Sequence, residues 1–267
     1  MSEAIFVHDA YKEFGNIYGP LSKLVHRLEA NSGHGIYPGV ELPIAPVIIA
    51  LDHISFTVEQ GEIFGLLGSS GAGKSTLIRL LATQLVPDSG DIRVFDFDVV
   101  RQPDQVQRLI NRVSGEASFF KKRSPVENLV YSARLYGTSR REARQRAEQF
   151  LLSLGTSSQA MHMPMDTLSQ DMYQKVAIAR ALLSGQRLLL LDEPTRSLDL
   201  QDKRAIWASL RELRDHSDTT ILVTTRDPQE AEQLCDRFAV LDQGKIIQDG
   251  EIFNLEGTKY EFTGAVV

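Results

Sequence analysis

Cysteine is almost absent from this chain of 267 residues: Cys235 stands alone, so no internal disulfide can form and nothing calls for an oxidising compartment. Long apolar runs are missing as well. The longest, around Pro43 to Leu51, is interrupted by Pro46 and falls well short of the roughly 20 residues that cross a bilayer, so it reads as a strand. The start of the chain lacks the charged-then-apolar pattern of a signal peptide. Together these absences point to the cytosol, with any work at a membrane requiring another chain to hold this one there. An excess of positive charge is also lacking. With 29 Lys+Arg against 35 Asp+Glu the net charge is −6, which gives no hint of a nucleic-acid face over the whole protein and leaves only local basic patches open. There is no internal repeat and no low-complexity tract. The length suits one large domain, or a core with a subdomain, with a substantial buried interior.

What the chain does contain is Gly68-Ser69-Ser70-Gly71-Ala72-Gly73-Lys74-Ser75-Thr76, which fits G-x-x-x-x-G-K-[ST]. It is entered from the apolar run Ile63-Phe64-Gly65-Leu66-Leu67, a buried strand, and left through the helical pattern Leu77-Ile78-Arg79-Leu80-Leu81. Glycines let successive backbone N–H groups converge on a phosphate group, and the helix that follows adds the positive end of its dipole. Lys74 can then reach the outer phosphates, and the Ser75 hydroxyl can ligate a Mg²⁺ that keeps most of its waters. This is the pattern of a nucleoside triphosphate site.

Ahead of that loop, residues 4 to 9 read as a first strand and 48 to 58 as a second that pairs with it; Glu59-Gln60-Gly61-Glu62 turns into the third. Between the first two lies an insert, 16–47, with one short amphipathic helix (Leu21, Leu24, Val25, Leu28) and a Gly/Pro-rich piece from Gly33 to Pro46. Beyond the loop, 91–95 reads as a strand and 101–113 as a helix leading to Val113. Ser124-Pro125-Val126-Glu127 has the form of a helix start, with a hydroxyl cap, an early proline and a glutamate three residues after the cap. Helices are expected at 125–136 and 139–154, the second with a solvated Arg/Glu face. Leu168-Ser169-Gln170-Asp171-Met172 opens another helix.

Arg187-Leu188-Leu189-Leu190-Leu191-Asp192-Glu193-Pro194 is a buried strand ending in two acids. The C-terminal edge of an open α/β sheet is where ligands bind, so Asp192 suits Mg²⁺ and Glu193 suits a general base or water-orienting group. Ser197-Leu198-Asp199 leads into a helix to Arg214, followed by a strand at 220–225, a helix at 228–235, a strand at 238–241 and a Gln243-Gly244 turn.

In order and spacing these segments resemble the ATP-binding subunit of ABC transporters over nearly the whole length. The glycine-rich loop matches Walker A, and Leu188 to Glu193 matches Walker B. Leu168 to Met172 stands at the LSGGQ signature, Ser197-Leu198-Asp199 at the D-loop and Thr224-Thr225-Arg226-Asp227 at the switch-histidine segment. The resemblance implies an α/β fold: a P-loop NTPase core with a mixed sheet, an antiparallel β subdomain and an inserted α-helical subdomain. It implies one domain over 1–267, with core at 1–116 and 166–250, helical subdomain at 117–165 and a tail at 251–267. It further implies that Gly68 through Thr76 (Gly68, Ser69, Ser70, Gly71, Ala72, Gly73, Lys74, Ser75, Thr76) bind ATP, that Phe14 stacks on adenine with Tyr11 and Tyr18 as nearby substitutes, and that Ser169 and Asp171 act across a head-to-tail dimer. Ser75, Asp192 and Glu116 become the Mg²⁺ candidates, and Glu193, Lys74 and Arg226 the catalytic ones. The implied partners are a transmembrane permease subunit, touched by the helical block near Phe119-Phe120-Lys121-Lys122-Arg123, and a second ATPase subunit, identical or different, with no nucleic acid. The place is the inner face of the cell membrane, and the long segment between the first strands resembles ATPases of polymer-exporting and related efflux systems of the ABC-2 type.

Three positions depart from the family pattern. Gly115-Glu116 stands where a glutamine is expected, Asp171 where a signature glycine is expected and Arg226 where a histidine is expected. An aspartate near a γ-phosphate is repelled unless compensated. Either the site binds ATP but hydrolyses it slowly, as a regulatory or structural half of the dimer, or hydrolysis survives through Lys74, Ser75, Asp192 and Glu193. In the second case Arg226 could neutralise Asp171 of the opposite chain or fork onto the phosphate. A soluble ATPase acting on nucleic acid or ribosomes is the alternative from another class; the long coiled-coil inserts or paired ATPase domains of such proteins are lacking here.

Overall fold

Strand β1 (Glu3–Phe14) pairs antiparallel with β2 (Ile48–Glu59), from Ile5 opposite Val58 to Phe14 opposite Ile48. The expected first strand, 4–9, is thus only its first half. Register shifts between Val7 and Ala10 bend the strand and let it continue, with Asp9 in a left-handed conformation at the bulge and its N–H donated to Ser55. The consequence is positional: Phe14 is carried to the far end of the sheet. In the computed structural model residues 2–15, 47–114, 118–196 and 198–251 are described, without the side chains of 250 and 251. The expected insert helix at 21–28, Tyr18, Glu116, Ser197 and the tail beyond 251 lie outside them.

Among the described residues the strands form two sheets. The first has the order β2-β1-β4-β5, with β4 (Ser89–Val94) and β5 (Phe97–Asp98) completing it. The second runs β10-β9-β3-β8-β7-β6: β3 (Ile63–Leu67), β6 (Ile110–Val113), β7 (Leu188–Asp192), β8 (Thr220–Thr225) and β9 (Arg237–Asp242) are parallel, and β10 (Lys245–Glu251) is an antiparallel edge. A mixed sheet beside an antiparallel one is the expected α/β architecture.

The continuous apolar strands are explained by burial on both faces. Leu188, Leu190 and Leu222 turn toward a core shared with the antiparallel sheet and helix α1 (Lys74–Leu81), whose Leu77, Ile78, Leu80 and Leu81 are buried there. Leu189, Leu191, Ile221 and Val223 turn toward the opposite core, packed by the helices that follow Ser124.

Residues 101–113 are not one helix. Helix α2 (Pro103–Leu109) stops, and Ile110–Val113 becomes β6, because the open edge of β7 offers a parallel partner, Ile110 to Leu188 through Val113 to Leu191. A ladder of hydrogen bonds along a buried edge outweighs the weak local preference of Ile-Asn-Arg-Val.

The helical block begins at α3 (Pro125–Leu135), closed by a capping box: Ser124 Oγ accepts from Glu127 N at 3.3 Å and Glu127 Oε2 accepts from Ser124 N at 2.8 Å. Helix α4 (Arg140–Ser153) buries Ala143, Ala147 and Leu151, one face at helical spacing, and leaves its Arg/Glu face to solvent. Single 3₁₀ turns at Ala160–His162 and Met165–Thr167 lead to α5 (Gln170–Leu183), capped by Ser169. Helices α6 (Leu200–His216) and α7 (Pro228–Leu234) follow on either side of β8. Among the described residues no helix is long and apolar enough to cross a membrane.

Candidate functional site

β3 delivers the chain to Gly68, whose N–H bonds Thr225 O at 3.1 Å; a Cβ there would lie 2.3 Å from Leu241 O, so only glycine passes. Gly73 is equally constrained, at φ 111° and with a Cβ that would sit 2.2 Å from Ala50 O. It is the N-cap of α1 and makes no side-chain cap bond, so the first amides of the helix are presented to the loop. Lys74 is 4% exposed and folds back on that loop, its Nζ donating to Gly68 O and Ser69 O, both at 2.7 Å, and lying 3.5 Å from Glu193 Oε1. Burial pushes the ammonium below its ordinary range, against the pull of Glu193.

The two acids arrive from β7. Ser75 Oγ donates to Asp192 Oδ1 at 3.1 Å, and Thr224 Oγ1, on the neighbouring strand, donates to the same oxygen at 2.8 Å. Thr224 also takes the amide of Glu193, at its hydroxyl and at its carbonyl, both at 3.1 Å. These bonds hold Glu193 in the left-handed region at φ 48°, uncommon for a residue with a Cβ. The turn beyond it is fixed to α7 and α6 through the buried Glu230, which accepts from Thr195 at 2.6 Å and from Trp207 Nε1 at 3.0 Å.

Arg226 faces Glu193 as a two-pronged donor, with Nε to Oε1 and Nη2 to Oε2 both at 2.9 Å. Arg196 stands 3.5 Å from Oε2. Burial by itself would raise the Glu193 carboxyl, but the Arg226 hydrogen bonds and the charges of Lys74, Arg226 and Arg196 outweigh it and hold the group below its usual range; the same bonds raise Arg226.

Lys74, Ser75, Asp192, Glu193, Arg196 and Arg226 line one open cavity of about 630 Å³, together with Ser70, Gly71, Gly73, Thr76, Phe14 and Ile48. Phe14 is 38% exposed, with Lys12 Nζ 5.5 Å from its ring. Tyr11 is turned elsewhere, tilted on His53 at 5.1 Å and bonded to Glu13. Gly68, Ser69 and Ala72 shape the loop from behind the cavity wall. Ser169 and Asp171 are exposed at the start of α5 and do not line the cavity, whereas Gln174, one turn further, reaches it and bonds Pro194 O at 2.8 Å. The expected pairing of Arg226 with Asp171 concerns a second chain; within this one, Arg226 is bound to Glu193.

One cavity residue carries no signal in the sequence pattern. Arg112 hydrogen-bonds Gln84 and brings Nη2 within 3.9 Å of Asp192 Oδ2; reading 101–113 as a helix hid that it is a strand residue beside β7. Thr224, named in the sequence only as part of the switch segment, lies behind the cavity wall and is bonded to both acids because it stands one strand over from Asp192. Among the described residues no group of three or more His, Cys, Asp or Glu could hold a metal ion by itself. The donor set at Ser75 and Asp192, one hydroxyl and one carboxylate already facing each other, fits a hard cation that takes its other ligands from phosphate and water.

A family model described as ABC transporter matches residues 51–196. The daunorubicin/doxorubicin resistance ATP-binding protein DrrA of Streptomyces peucetius is 40% identical over 209 residues, which cover 78% of this chain and 63% of DrrA, so this chain spans less than two-thirds of that relative. The ABC transporter ATP-binding protein NatA of Bacillus subtilis is 36% identical over 210 residues, covering 78% of this chain and 85% of NatA. An ATP-binding cassette solved as a dimer in a post-hydrolysis state with ADP and Pi has a TM-score of 0.74 at 22% identity, over 93% of this chain and 98% of that one, a likeness of fold.

Proposed function

The chain belongs to the ABC transporter family of ATP-binding proteins, and from that membership we propose that it binds Mg·ATP and hydrolyses it as the energy-coupling subunit of a membrane exporter. One observation carries the reading: Lys74 and Ser75 from the start of α1, and Asp192 and Glu193 from the end of β7, converge on a single cavity of about 630 Å³. In it the loop amides and Lys74 take the outer phosphates, and Phe14 offers a ring to the base. Ser75 and Asp192 would hold Mg²⁺, which when bound supplies charge neutralisation at the phosphates. Glu193 orients or deprotonates the attacking water once its oxygens are accessible.

A second cassette closes head to tail on this one. The exposed Ser169 and Asp171 at the start of α5 support that reading, because they are free to meet another subunit's nucleotide. A permease holds the pair on the inner face of the membrane. Of the expected contact patch, Phe119 packs edge-on to Tyr173 beneath Arg180, while Phe120 is exposed beside Tyr131 and is the better candidate for the contact. Export as the direction is supported by the resistance role in the name of DrrA.

The test is direct. The purified chain is expected to bind ATP in a Mg²⁺-dependent way, Lys74→Ala to abolish that affinity, and Glu193→Gln to abolish turnover. Co-purification with a multi-spanning membrane protein checks the transport role. A second reading, a cassette that binds ATP but turns it over slowly, is favoured by the Arg226–Glu193 pair; full binding with turnover below about one per minute, far under ordinary enzyme rates, would establish it.

A further inference from the structure

Both oxygens of Glu193 accept a hydrogen bond from Arg226, and two further cations stand beside them. A carboxylate offers about four lone-pair directions, and here Oε1 meets Arg226 Nε at 2.9 Å and Lys74 Nζ at 3.5 Å, while Oε2 meets Arg226 Nη2 at 2.9 Å and Arg196 Nη1 at 3.5 Å. A group that must take a proton from water or orient it needs an open lone pair facing the cavity. In this arrangement the planar fork of one guanidinium spans both oxygens, the geometry for which arginine is suited and a single ring nitrogen of histidine is not.

We propose that Arg226 is a latch on Glu193, released only by a terminal phosphate in the cavity, so that the acid is withheld until ATP rather than ADP is bound. The proposal rests on the reading of the cavity as an ATP site and concerns what Arg226 does there as a positioning residue.

Three features carry it. The backbone of Arg226 is fixed, since it follows β8 directly: Thr225 O receives the Gly68 amide at 3.1 Å, and Thr225 Oγ1 receives the Asp227 amide at 3.0 Å. Its side chain, by contrast, is 35% exposed and lies between two spaces, the 630 Å³ cavity and a neighbouring one of about 510 Å³ bounded by Thr195, Arg196 and Lys203. The guanidinium can therefore swing without moving the strand. Finally, Lys74 and Arg226 flank the same carboxylate, so an anion drawn to Lys74 arrives within reach of Arg226 and competes for its fork. A phosphate that carries more charge and more acceptor oxygens than a carboxylate wins that competition. ADP, one phosphate shorter, leaves the pair closed.

Equilibrium affinities of the full chain for a non-hydrolysable ATP analogue and for ADP, both with Mg²⁺, decide it in a double-mutant cycle of Glu193→Gln and Arg226→Ala. If the fork must leave Glu193 to meet the phosphate, Glu193→Gln frees it and raises the ATP-over-ADP affinity ratio on the order of tenfold, and the rise is smaller when Arg226 is already replaced by alanine. A rise that is equal or larger in the Arg226→Ala background, as bare repulsion between Glu193 and phosphate would give, overturns the latch. So does a ratio that no variant moves. That reading requires variants whose ADP affinity matches wild type, since loss of folding lowers both affinities alike; Arg226→Gln gives the same cycle should the alanine variant fail that check. Wild-type protein that binds neither nucleotide would instead remove the ATP-site reading beneath the proposal.

Discussion

Thr224 gives its hydroxyl hydrogen to Asp192 Oδ1 at 2.8 Å and receives the amide of Glu193 on the same oxygen at 3.1 Å, so a single side chain on β8 positions both acids at the end of β7. The register makes this possible, because Asp192 lies opposite Thr224 across two parallel strands. Thr224→Val keeps the shape and removes both bonds. It is expected to lower Mg²⁺-dependent ATP turnover by roughly tenfold while costing about 1 kcal/mol of stability, read from steady-state rates and a denaturant titration.

The two strained glycines of the loop separate space from backbone conformation. At Gly71, φ is 82° and an added Cβ meets nothing, so Gly71→Ala should cost only the left-handed penalty, about 1–2 kcal/mol. At Gly73 the same change adds a collision with Ala50 O, and a loss of roughly 4 kcal/mol or more is expected. Comparable midpoints for the two variants would contradict this account of the loop.

The buried carboxylate of Glu230 ties the turn after Glu193 to α6 and α7. Trp207→Phe leaves it one donor short, and about 1–3 kcal/mol of destabilisation follows from an incompletely paired buried acid. Because Thr195 and Arg196 belong to that turn, the ATPase rate should fall as well, a loss that nucleotide affinity alone would not reveal.

The capping box of α3 gives a pH-dependent test. The Ser124 amide, as the largest influence, holds the Glu127 carboxyl below its ordinary value. A folded pKa that is depressed contributes stability above the unfolded value and loses it as pH falls through the folded one. The penalty of Glu127→Gln should therefore be full at pH 7 and shrink below about pH 4.5, measured as the difference in unfolding free energy from wild type. Ser124→Ala should cost about 1 kcal/mol at neutral pH.

If Phe14 faces the nucleobase, Phe14→Ala should weaken ATP binding by roughly 1–2 kcal/mol, the scale of a base–aromatic stack, and leave inorganic triphosphate binding unchanged. Equal losses for both ligands would place the ring outside base recognition.

Much of this molecule is written locally. The loop from Gly68 to Thr76, the cap at Ser124, the Arg/Glu face of α4 and the doubly buried leucines of β7 all depend on residues within a few positions of one another, and their spacing announces them. Tertiary structure alone decided the rest. Ile110–Val113 became a strand because β7 had an edge to offer, and Arg112 entered the cavity wall only as a result. Phe14 reached the cavity wall because a bulge let β1 run past its first pattern. Arg226 and Glu193, separated by 33 positions, meet because β7 and β8 are neighbours. Local spacing fixes which way a side chain points from its own element; which partner it finds is set by the order of strands, and that order is a property of the whole buried sheet.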